Sequence, residues 1–281
     1  MHPVFRLLIV MVALLAACVD APGDSTTTVP RIVANRIVAN RIVANRIVAN
    51  KLLADKLVAG KLTSSVFGVN MTTAGELIST DDGREVFAAI VACALPDFIT
   101  LEATVSGVTF DFSGDLGLVS SWLTMPLGPD DQRWISACLF ARVNAHEVAI
   151  PISLRGPNPA LAADPDERAA FTLEEGGFFG NYFTPKDQPI QWYACRGAGQ
   201  ARGENGDLAF RDCTEPDPDH PGLTQCGFTY AGDCGTFAAA HACELGADGG
   251  SFYRRCHTAP IGKVPFPNQV FLQVITTFVM P

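Results

Sequence analysis

Cys226, Cys234, His241, Cys243, Cys256 and His257 crowd the C-terminal third of the chain. Thiols and imidazoles gathered in this way could hold zinc. Their spacing contains no C-x2-C knuckle, so the competing chemistry is disulfide formation among the cysteines. His146-Glu147 begins as a zinc-protease helix motif does, but the place of the second histidine is taken by Ile150. The simpler role for His146 is at the end of a helix, where it complements the dipole. Glu215-Pro216-Asp217-Pro218-Asp219-His220 and Asp164-Pro165-Asp166-Glu167 could gather oxygens for calcium, or could form rigid turns. Gly176-Gly177-Phe178-Phe179-Gly180-Asn181-Tyr182-Phe183 reads either as a ligand-facing strand or as aromatic core. The sequence has no G-x-S-x-G elbow, Walker loop or Rossmann fingerprint, and no C-x-x-C pair for a thioredoxin-like redox role. No cofactor is therefore expected.

The ninth cysteine stands apart. Arg6 precedes an apolar run, Leu7 to Ala17, which is too short to span a bilayer and reads as an export signal. The run closes in Leu15-Ala16-Ala17-Cys18. That tetrad resembles the lipobox of bacterial lipoproteins, whose cysteine is acylated and becomes the new N-terminus. The resemblance implies a signal peptide over 1–17, lipidation at Cys18 and membrane lipid as a partner. Val19 follows the cysteine, with Asp one place later at Asp20, which under the enteric sorting rule implies the outer membrane. Export in turn decides the chemistry of the other eight cysteines. Cys93, Cys138, Cys195, Cys213, Cys226, Cys234, Cys243 and Cys256 form an even set in an oxidising compartment, which predicts up to four disulfides. Roughly a hundred connectivities are open. Cys93 and Cys138, isolated upstream, are expected to pair with each other.

Charge narrows the partners. From Arg31 to Lys61 seven basic residues face one acidic residue, whereas from Leu62 to Pro281 there are 12 Lys and Arg against 26 Asp and Glu. So acidic a domain is a poor nucleic-acid binder, because phosphate contacts need clustered Lys and Arg. The hydrophobic content of 48% supports a packed core.

The elements that must position these residues follow from periodicity. Asp82 to Ala94 repeats its apolar residues at helical spacing and carries Cys93. Thr100 to Val105 and Val108 to Leu118 alternate as strands around Ser106-Gly107. Pro129-Asp130-Asp131 opens a second helix to about Ala145, carrying Cys138. Val148 to Leu154 reads as a strand, and Gly156 to Glu167 as a Pro/Asp-rich loop. Short strands follow at 171–173, 177–183, 190–194, 227–231 and 251–254, with a long buried strand over 269–280. The expected fold is α+β: two helices on short antiparallel strands, with a disulfide-rich irregular C-terminal part. The domain plan is a polar tether over 18–30, a pentad spacer over 31–65, an α+β part over 66–190 and a Cys-rich part of the same unit over 191–281.

The spacer holds four copies of RIVAN from Arg31 to Asn50, then KLLAD, KLVAG and KLTSS. Framed as ANRIV, ANKLL and ADKLV, it partly resembles pentapeptide repeats, which stack as a four-sided β-solenoid. Arg36, Arg41, Arg46, Lys51 and Lys56 stand where that family puts inward apolar residues. Pentads advance about 500° on a helix, so their apolar triplets make no stripe. Solenoid, helix and disordered spacer all stay open.

The runs SACLFARVNAHEVAIPISLRG, GGFFGNYF and YACRG are similar to Gram-negative exported proteins that are predicted lipoproteins of unknown function, a resemblance covering Glu76 to Pro281. It implies a recurring domain and brings no catalytic residue. The leading expectation is a lipid-anchored envelope protein whose stapled head binds an envelope protein or glycan, or serves structure. The alternative is an exported hydrolase using carboxylates that only the fold brings together.

Overall fold

In the computed structural model of the chain, the described residues are 41–44, 78–144, 146, 149–184, 191–199, 206–235, 242–246, 251–258 and 269–281. The signal segment, Cys18, the tether and most of the pentads lie outside them. The fold is α+β, as the periodicity predicts.

Helix α1 (Asp81–Ala94) begins where the Thr80 side chain accepts from the Gly83 N–H, with Asp81 and Asp82 complementing the first turn. It stops at Leu95 because the residue before Pro96 is pushed into extended backbone. Strands β2 (Thr100–Val105) and β3 (Val108–Ser113) pair through a tight turn in which Ser106 and Gly107 both take positive φ, the requirement of a two-residue hairpin. β3 ends five residues before the predicted Leu118. A Cβ at Gly114 would stand 2.2 Å from the Pro96 carbonyl oxygen, so here the chain is pressed against the end of α1. Helix α2 (Pro129–Ala141) is opened by Pro129 and by the Gly128 N–H donating to Asp131 Oδ2. It ends four residues short of the predicted Ala145.

The main sheet runs β1 (Arg41–Ala44), β4 (Ile150–Arg155), β11 (Val274–Val279), β5 (Leu173–Asn181), β6 (Gln191–Arg196) and β7 (Thr229–Asp233). All neighbours are antiparallel except β6 and β7. Its outer strand β1 comes from the third RIVAN pentad, paired Arg41 to Ser153 and Ala44 to Ile150. A smaller sheet holds β10 (Val270–Phe271), β9 (Tyr253–His257) and β8 (Cys243–Leu245). The predicted long strand over 269–280 is therefore two strands in two sheets, broken at Leu272-Gln273. The loop predicted over 156–167 also contains the start of a short helix, α3 (Pro165–Ala170).

Period-two alternation separates two cores. Phe178, Trp192, Ala194 and Ile275 face the helices, and Phe140 of α2 packs there with ring centroids 5.7 Å from Trp192 and 5.5 Å from Phe228. Phe179, Tyr193, Cys195 and Val274 face the small sheet. The glycines of the Gly/aromatic run serve close strand approach. A Cβ at Gly176 would lie 2.1 Å from Cys195 O, and at Gly180, whose φ is +138°, 1.9 Å from Gln191 O. Phe178 and Phe179 are fully buried, which removes the ligand-facing reading of that strand.

All eight cysteines of the head pair. Cys93–Cys138 joins α1 to α2, the pairing expected from their isolation. Cys195–Cys234 ties β6 to the end of β7, Cys213–Cys226 closes a loop, and Cys243–Cys256 bridges opposed residues of β8 and β9.

Candidate functional site

The sequence-predicted Cys/His cluster resolves into neighbouring cystines. The sulfurs of Cys195, Cys234 and Cys243 lie within 4.8 Å of one another, with Cys195 Sγ 3.3 Å from Cys243 Sγ. Each is already bonded in a disulfide, so none is a thiolate for zinc. His257 is on β9 beside Cys256, and His241 lies outside the described residues. Both carboxylate clusters are local caps and turns. Asp164 Oδ1 accepts from the Glu167 N–H as the N-cap of α3. Asp217 Oδ1 accepts from the N–H groups of Asp219 and His220, while Oδ2 lies 2.9 Å from His220 Nδ1. The His220 hydrogen bond holds the Asp217 carboxyl below its usual range.

His146 is not at a helix end. It lies five residues beyond α2, with its backbone N–H on Asn144 Oδ1 and its Nε2 2.6 Å from Asp212 Oδ2. The Asp212 side chain is 10% exposed, that of His146 39%. Asp212 takes φ +51°, a conformation Asp tolerates better than most residues. An imidazole oriented by a buried carboxylate, with its ring partly in solvent, is the arrangement of a general base.

Asp212 belongs to a tetrad, Arg211-Asp212-Cys213-Thr214, that fastens β5 to the end of α2 and to the segment just beyond it. Arg211 is fully buried and donates from Nε and Nη2 to the two oxygens of Glu175, at 3.0 and 2.8 Å, and from Nη2 to Ala141 O at 2.8 Å. Thr277 of β11 donates to Glu175 Oε2, and Thr214 donates to the Glu175 backbone oxygen. Cys213 Sγ sits 3.3 Å from Val143 O and is bonded to Cys226. Beyond Cys213 as a disulfide cysteine, nothing in the sequence marked this tetrad, because its hydrogen-bond partners lie 36 to 70 residues away.

A second buried cation is less well served. Arg142, just past α2, is fully buried, with Nη1 4.0 Å from Cys93 Sγ and no hydrogen bond at Nε or Nη2 among the described residues. Burial lowers its pKa to about 10, against the attraction of Asp115. Below that pH the proton is held less tightly in the folded chain than in the unfolded one. The cost is on the order of 3 kcal/mol, relieved as pH rises from about 10 toward the unfolded value. Arg142→Met is therefore expected to stabilise the fold by about 1–3 kcal/mol. A shift of the urea midpoint to lower concentration would count against this.

An open concavity lies elsewhere among the described residues. A cleft of about 200 Å³ is walled by residues 155–159, 161–163 and 168 together with Ser251 and Phe252. Gly156 lets the loop leave β4 closely, since a Cβ there would meet Val274 O at 2.7 Å. Arg155, only 6% exposed, is held rigidly at the inner end. Its Nε donates to Ser153 Oγ at 3.0 Å, its Nη2 to Phe171 O at 2.7 Å, and its guanidinium carbon lies 3.9 Å from the Phe278 ring centroid. Glu167, 2% exposed, does not line the cleft. Burial pushes its carboxyl up, against the pull of Ser153 and Arg155.

No family model matches the chain, and neither a curated protein nor a solved structure does. Among the described residues, no helix is long and apolar enough to cross a membrane.

Proposed function

We propose that this protein is a lipoprotein of the bacterial envelope, anchored by acyl chains on Cys18, whose disulfide-stapled head is a binding domain. The carrying observation is the cysteine inventory. Eight of nine cysteines satisfy one another within the head, so Cys18, in Leu15-Ala16-Ala17-Cys18, is left without a partner in that set. Four buried cystines also suit an oxidising compartment outside the cytoplasm. Two or more acyl chains hold a protein stably on a membrane, at about 0.8 kcal/mol per buried methylene. Val19 favours the outer membrane as destination. The test is labelling with an alkyne fatty acid in a bacterial host, followed by membrane fractionation. The full chain is expected to carry the label and sediment with outer membrane, and Cys18→Ser to lose both. A labelled Cys18→Ser, or an unlabelled parent chain, would refute the anchor.

A second reading, an exported hydrolase, draws on the His146–Asp212 pair as general base. It predicts that His146→Ala abolishes turnover of an ester or glycoside substrate while leaving ligand binding intact.

A further inference from the structure

The cleft between the 155–163 loop and Phe252 has a chemistry of its own. From Leu62 onward the chain carries a net charge of −14, yet the wall of this cleft holds two arginines and no carboxylate. Arg155 is committed through Nε, Nη2 and its π face, which leaves Nη1 free as a fixed donor. Arg168, at the outer end, donates from Nε to Ala163 O and makes no ion pair among the described residues, so its terminal nitrogens are available. The two cations repel each other, and that repulsion adds to the burial that lowers the Arg155 pKa. Glu167 attracts both arginines without lining the cleft, so the two guanidinium groups are the charges that a ligand there would meet. The remaining wall is small and apolar, formed by Pro157, Pro159, Leu161, Ala162 and Phe252.

We propose that this cleft binds the free C-terminal end of a peptide, its carboxylate held between Arg155 and Arg168 and its small apolar last residue against the Pro/Leu/Phe wall. This rests on the reading of the head as a binding domain and gives it a ligand class. Planar guanidinium groups suit a carboxylate because they offer paired N–H donors. The volume is below that of a site enclosing a drug-sized ligand, which fits capture of a chain end. A sugar acid would offer the same carboxylate, but it needs several polar partners for its hydroxyls, and the wall supplies only Asn158 and Ser251 beside the arginines.

The test is titration calorimetry on the full lipidated chain in detergent, with N-acetyl-Ala-Ala as free acid, its C-terminal amide, glucuronate and inorganic phosphate as probes. Saturable binding of the free acid is expected, with the amide about tenfold weaker for loss of a charge-assisted hydrogen bond. Arg168→Gln should weaken the acid by about tenfold, and Ala162→Trp, which fills the cleft, should abolish binding. Both positions are exposed, so the fold is retained, checked by an unchanged disulfide map. Equal binding of acid and amide, or tighter binding of glucuronate or phosphate, would overturn the assignment. So would no binding by any probe. If that happens while Cys18 labelling and membrane sedimentation hold, the cleft assignment falls and the anchor stands.

Discussion

Glu175→Ala is expected to destabilise the head by about 3–5 kcal/mol, the cost of stranding a buried cation. Arg211 is fully buried with two of its nitrogens on the Glu175 carboxylate, and without it only Ala141 O remains among its described partners. Thr277 loses its shorter acceptor in the same step and keeps only the Gly176 carbonyl at 3.4 Å. The reverse variant, Arg211→Met, leaves a carboxylate that can take up a proton, so it should cost less than Glu175→Ala. Glu175→Gln keeps the shape and the hydrogen-bond acceptor but not the charge, and should fall between. Urea unfolding of the three variants at pH 7 is the measurement. If all three unfold within about 1 kcal/mol of the parent, the pair is not what joins α2, β5 and the 211–214 tetrad.

Replacing Cys93 and Cys138 together by alanine is expected to lower stability by about 4 kcal/mol. The bond closes a separation of 45 residues, and the loop-entropy relation gives that size. Cys213–Cys226 and Cys243–Cys256 each close only 13, so their removal should cost about 3 kcal/mol by the same relation. That ordering, read by thermal unfolding of otherwise oxidised protein, separates a chain-entropy effect from loss of local packing. Equal losses at all three bonds would argue for packing.

Helix α1 was readable to within a residue because its N-cap, apolar spacing and terminating proline all act locally. The β2–β3 turn was readable because Ser106-Gly107 can take positive φ. What failed was set by distant contacts. β3 stops early because Gly114 meets the backbone of Leu95 and Pro96. The strand expected over 269–280 breaks because Phe271 belongs to the small sheet's core and Ile275 to the helix-facing core of the main sheet. Short α3 was missed although Asp164, Pro165 and Glu167 form a recognisable helix start. For the site, single cysteines on two predicted helices disclosed one disulfide. The other three pairings, the Glu175–Arg211 pair and the Arg155 cleft depend on sheet order, which periodicity does not encode.

The position of β11 fixes an order of assembly. It stands between β4 and β5 at the middle of the main sheet, yet residues 274–279 follow every other strand in the chain. While the chain is being made, β4 and β5 can both be present with nothing to join them. Glu175 then lacks Thr277, and the Tyr253 N–H lacks the hydroxyl of Thr276. The sheet closes only when its final strand arrives, so the head locks once, after the last residues of the chain are in place.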